Sequence, residues 1–108
     1  MLFGNKIREL RDKNGVLQRQ LAAHLEMDTP MFSKIERGAR FAKRIHVILL
    51  AEYFHIDANE MLILWLADKM LYAIKGEKQT ELSLKAFDLA KSAIKGQHYQ
   101  FIDDQIIQ

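Results

Sequence analysis

The side chains best suited to recognition chemistry crowd into positions 29 to 44: Thr29, Pro30, Ser33 and Lys34, then Arg37, Arg40, Lys43 and Arg44. Arginine offers a planar fork of donors that matches phosphate or a guanine edge. Lysine reaches guanine O6/N7 as a point charge, and the Thr29 methyl or the Pro30 ring can pack on a thymine methyl. A set of this kind is suited to a polyanion and its base edges rather than to making and breaking bonds. The side chains that could do catalysis are not arranged for it. Asp103 and Asp104 are adjacent and project in different directions, Ser33 and Ser92 lack a His/Asp arrangement, and no Gly-rich phosphate loop occurs. With no cysteine, and with His24, His46, His55 and His98 not spaced as ligands, neither a metal nor a cofactor is expected.

The elements that must position these residues are two short helices between Gln18 and Gly38. Leu21, Ala22 and Leu25 give the first one buried face. After a break at Glu26-Met27-Asp28, Asp28 is placed to cap the second helix. Pro30 sits in its first turn, where a missing donor is tolerated, and Gly38 closes it. Phe32 and Ile35 face inward, which turns Thr29, Pro30, Ser33 and Lys34 outward; Met31 fits either core or an apolar reader. Gln18, opening the first helix, can point its amide and the free N–H groups at a phosphate. Two helices joined by about three residues match the unit that lays its second helix in the major groove of DNA, although a helical hairpin that touches no DNA shares the spacing.

Gln18, Leu21-Ala22, Ser33, Ile35-Glu36 and Gly38 resemble, in order and spacing, the Xre-type helix-turn-helix family of lambdoid phage repressors and restriction-modification controllers. The resemblance covers about residues 3 to 66. It implies that Arg11 on the first helix pairs with Glu36, locking that helix to the recognition helix. It also implies that Arg37, Arg40, Lys43 and Arg44 grip the DNA backbone beside the groove, in agreement with their charge. Two residues depart from the pattern. Glu26 replaces the usual turn glycine and so points to a positive φ, and Leu17 replaces a Ser or Thr cap, a loss of about 1 kcal/mol.

Composition agrees with this division of labour. The 108 residues, 49% of them apolar, suit one domain with an extra helix or two. Residues 1–56 hold ten Lys/Arg against six Asp/Glu, residues 57–108 six against eight, and every arginine lies at or before Arg44. A basic N-terminal half and an acidic C-terminal half predict a DNA surface in the first and another role in the second. No long apolar run or signal-type N-terminus is present, which predicts the cytoplasm of a bacterium.

Four further helices are expected. Phe3 to Asn14 carries Phe3, Ile7 and Leu10 on one stripe and stops at Gly15. Ile45 to Phe54 places Ile45, Ile48, Leu49, Ala51 and Phe54 in the core. A fifth helix, capped by Asp57 and ending at Gly76, contains MLILWLA, apolar at all seven positions 61–67, which cannot bury a single face. Met61, Leu62, Trp65 and Leu66 are assigned to the core, leaving Ile63, Leu64, Ala67, Met70 and Leu71 for a partner subunit or the C-terminal helix. The resemblance also implies a homodimer here, with half-sites about one DNA turn, ~34 Å, apart. Thr80 is expected to cap a sixth helix, Glu81 to Lys95, with Leu82, Ala86, Phe87, Leu89, Ala90, Ala93 and Ile94 on one stripe and Gly96 as its stop. A tail from Gln97 carries Tyr99, Phe101, Ile102, Ile106 and Ile107.

The expectation is therefore all-α: a five-helix lambda-repressor-like DNA-binding domain over 1–75 and a helical extension over 76–108 for dimerisation or partner contact. Its function would be sequence-specific transcriptional regulation as a homodimer on a palindromic operator, as in a restriction-modification controller. The alternative is an antitoxin-like protein whose C-terminal half binds a partner protein while the helix-turn-helix autoregulates.

Overall fold

The computed structural model describes residues 1–101, so Asp103, Asp104 and the apolar tail positions Ile102, Ile106 and Ile107 lie outside the described residues. It is all-helical: α1 (Leu2–Asn14), α2 (Gln18–His24), α3 (Thr29–Glu36), α4 (Arg44–Tyr53), α5 (Ala58–Ala73) and α6 (Thr80–Gly96). Among the described residues no helix is long and apolar enough to cross a membrane. The chain divides into two compact units, Met1–Ala73 and the segment from Ile74 onward.

In the first unit each helix contributes an apolar stripe to one core. Phe3, Ile7 and Leu10 come from α1, Leu21 and Ala22 from α2, and Phe32 and Ile35 from α3; α4 and α5 close the core with Val47, Leu50, Met61 and Trp65. α1 packs against α3 and α5, α2 against α3, and α4 against α5. Full burial of side chains such as Phe32, Leu21 and Leu50 is worth about 1.5–3 kcal/mol each.

Local chemistry sets the helix ends. The Asp28 carboxylate accepts the Met31 N–H at 2.7 Å, capping α3 with Pro30 in its first turn. Gly38, at φ 80°, follows α3 in a left-handed conformation that costs a side chain most. At α2 the cap residue Leu17 has no acceptor, and Gln20 supplies half of a capping box by accepting the Leu17 N–H at 2.7 Å. Asp57 caps α5 by accepting the Asn59 N–H at 3.0 Å.

Several expected placements are corrected. In α4 the buried residues are Val47, Leu50 and Ala51, whereas Ile45 is 54% exposed and Ile48, Leu49 and Phe54 are only partly buried. The helix is apolar on nearly all sides, so its own periodicity does not choose a face. The same holds for α5, where Met61, Leu62 and Trp65 are buried but Leu66 is 43% exposed. α5 ends at Ala73 rather than Gly76, because a turn closes there with the Glu77 N–H on the Ile74 carbonyl at 2.9 Å. Gln79, not Thr80, is the N-cap of α6, and Gly96 is its last helical residue; Gln97 takes the left-handed stop at φ 54°.

Candidate nucleic-acid interface

α3 is held from beneath by an ion pair. Arg11 donates from Nε to Glu36 Oε2 at 2.8 Å and from Nη2 to Oε1 at 2.9 Å, a bidentate fork between α1 and the last turn of α3. Gln18 Nε2 adds a third hydrogen bond to Glu36 Oε1 at 3.0 Å, and Arg11 Nη1 donates to the Val16 carbonyl at 3.2 Å. Glu36 is buried in the core beside Ile35. Burial pushes its carboxyl pKa up, but the hydrogen bonds from Arg11 and Gln18 and the charges of Arg11 and Arg8 outweigh that and hold it below the usual value. Arg11 is raised in turn, first by its hydrogen bond to Glu36, against the opposing effect of its own burial.

This anchoring depends on a close approach that the sequence marks with a glycine. A Cβ on Gly4 would overlap the Glu36 carbonyl oxygen, so α1 reaches the end of α3 only with no side chain there.

With Phe32, Ile35 and Glu36 facing inward, α3 exposes Thr29, Pro30 and Lys34 and half-exposes Ser33 and Met31. Met31 also packs in part against the core. Arg37, Arg40, Lys43 and Arg44 are all exposed, and they follow α3 directly. Arg44 is the first residue of α4 and Lys43 its N-cap, rather than loop residues. Two cations at a helix start with no acid in the first turn oppose the helix dipole, an arrangement that a bound anion would relieve. The Arg37 Nε returns a bond to the Ser33 carbonyl at 3.3 Å. Gln18 is half-buried and spends an amide hydrogen on Glu36, so it links the ion pair to the start of α2. Glu26 in the turn adopts φ 56°.

Two contacts have no clear sequence signal. The buried carboxylate of Asp68, 3% exposed, accepts the Leu2 N–H at 2.8 Å and the Phe3 N–H at 2.9 Å. It caps α1 from α5, where Met1, the local cap residue, offers no side-chain acceptor. The Trp65 indole N–H donates to the Ala42 carbonyl at 2.8 Å, and Lys69 Nζ lies 3.8 Å from the Trp65 ring centroid. The bond to Ala42 ties the segment between α3 and α4, which carries Arg40 and Lys43, to α5. On the outer side of α5, Ile63, Met70 and Leu71 are exposed and Ala67 is half-exposed, whereas Leu64 packs partly against the chain's own core. In α4, the His46 Nδ1 is buried without a hydrogen-bond partner; burial, and then the charge of Lys43, lower its pKa. Among the described residues no three His, Cys, Asp or Glu side chains gather as a metal site.

Neither a curated protein nor a solved structure matches the chain significantly. Residues 2–62, more than half of the chain, match the family described as a helix-turn-helix domain. That span begins with α1, which carries Arg11, and runs into the start of α5, so it takes in the ion pair, the outward face of α3 and the cations that follow. This chain belongs to the helix-turn-helix domain family.

Proposed function

We propose that the protein is a sequence-specific transcriptional regulator of the Xre type, acting as a homodimer on a palindromic operator, with a restriction-modification controller as one form of it. The observation that carries this reading is the two-sidedness of α3: Phe32, Ile35 and Glu36 are buried while Thr29, Pro30 and Lys34 stand exposed, flanked by four exposed cations. In this reading Thr29, Pro30, Ser33 and Lys34 read base edges, and Arg37, Arg40, Lys43 and Arg44 hold phosphates, with the N–H groups at the start of α2 beside Gln18. The exposed α5 residues Ile63, Met70 and Leu71, with Ala67 and the remaining surface of Leu64, form the subunit contact.

Selection of bound duplexes from a random library tests it. A two-fold symmetric motif with half-site centres about one turn, ~34 Å, apart is the expected outcome. Recovery of sequence-indifferent binding alone would sink it. Arg40→Ala should weaken binding to all duplexes alike and lower the salt slope by about one unit.

A second reading, an antitoxin-like protein whose C-terminal half holds a different protein, is favoured by one observation: α6 has no buried residue. Co-purification of a tight heterologous partner with the full chain would support it.

A further inference from the structure

We infer that α6 pairs antiparallel with α6 of a second copy of this chain. The inference rests on the homodimer reading and supplies a second helix pair to that assembly.

α6 is 17 residues long and amphipathic, yet none of its residues is buried. Its large apolar side chains Leu82, Leu84, Phe87, Leu89 and Ile94 are 48% to 74% exposed, and all but Leu84 lie on one stripe. A helix of this length without tertiary cover is marginal in water, so the stripe needs an occupant.

The sequence of the stripe says which occupant fits. Leu82, Ala86, Leu89 and Ala93 form one row at the four-three spacing of a coiled-coil seam, and Ser83, Phe87, Ala90 and Ile94 form a second beside it. Each row alternates large and small. Two copies laid antiparallel about a two-fold axis near Asp88 place Leu82 against Ala93 and Leu89 against Ala86. In the second row Ile94 meets Ser83 and Phe87 meets Ala90. Every layer then joins one large side chain to one small one. A parallel pair would stack Leu82 on Leu82 and Phe87 on Phe87, with alanine facing alanine between them, alternating crowded layers with voids in an interior that tolerates neither. The antiparallel arrangement also opposes the two helix dipoles.

The charges are consistent with a dry seam. Glu81, Lys85, Asp88, Lys91 and Lys95 all fall outside the two rows, and Lys85 pairs with Glu81 at 3.1 Å within its own helix. A helix this long spans about 25 Å. A seam of that length falls at or below the low end of the roughly 1,200–2,000 Å² that specific interfaces bury, so the pairing is expected to weaken on dilution.

The chain has no cysteine, which lets single introduced cysteines report the register. Leu82→Cys and Ala93→Cys variants of the full chain are oxidised mildly, each alone and then mixed. The expected result is a disulfide between the two variants in the mixture and little in either alone, because two Leu82 positions in an antiparallel pair lie about 16 Å apart along the axis. Rapid self-linking of Leu82→Cys, or no linking in any mixture, overturns the inference. Sedimentation equilibrium of Ala90→Glu, which puts a charge in the seam without lowering helix propensity much, should show a dimer dissociation constant raised by about tenfold or more. A wild-type chain that is monomeric at every concentration overturns the homodimer reading and this inference together. A wild-type dimer indifferent to Ala90→Glu overturns this inference alone.

Discussion

α3 and α6 are both amphipathic, and their fates in the structure differ completely. α3, with eight residues, buries Phe32, Ile35 and Glu36 and is tied to α1 by a bidentate ion pair. α6, with seventeen, buries nothing. An apolar stripe states that a helix needs cover but not whose. For α3 the cover is α1 and α2 of the same chain, which leaves its polar side rigidly presented. For α6 the stripe is still available.

The comparison is sharpened most by removing what holds α3. Arg11→Ala leaves a buried carboxylate with only Gln18 as partner and should cost about 3–5 kcal/mol by chemical denaturation. An unchanged denaturation midpoint would mean the pair is not a lock. The sign of the pH dependence follows from Glu36, whose pKa is depressed in the folded chain. Its contribution is fully present above the ordinary glutamate range and is lost as pH falls through the folded value. The gap in stability between wild type and Arg11→Ala should therefore narrow on acidification; a gap that widens contradicts the assignment.

Asp68→Ala comes next, at about 2 kcal/mol, since it strands two N–H groups at the start of α1. Hydrogen exchange at Leu2 and Phe3 should accelerate in that variant, and protection retained there would show that another group caps the helix. Glu26→Gly should stabilise the chain by about 1 kcal/mol by relieving a left-handed non-glycine residue, read as a rise in melting temperature. The smallest effect is expected in α6. Leu89→Ala, measured under dilute conditions that keep the chain monomeric, should change the stability of the unit Met1–Ala73 by less than about 0.5 kcal/mol. A larger loss would show that α6 supports that unit and would erase the contrast with α3.

Legibility followed the range of the forces involved. The outward face of α3 could be read from Phe32 and Ile35 because the buried and exposed positions lie within two helical turns of each other. The Asp28 cap and the Glu26 strain are equally local, spanning three residues or fewer. α4 could not be read in the same way. Ile45, Val47, Ile48, Leu49 and Leu50 surround the helix, so a stripe containing Ile45 was as consistent with the sequence as the observed one built on Val47 and Leu50. Leu66 in α5 was misplaced for the same reason. Glu36 and Arg11 were connected only through a family resemblance, since 25 positions separate them and nothing local relates them.

By itself, then, the sequence determined where the six helices lie to within a few residues and which side of α3 faces out. Those features are set by caps, turn conformations and periodicity acting over one or two turns. The tertiary structure alone decided that Asp68 would cap α1 across 66 positions, that Gly4 would admit α1 against the end of α3, and which sides of α4 and α5 would be buried. Each of these depends on which surfaces meet once the helices pack, and residues distant along the chain carry no periodic signal of that meeting.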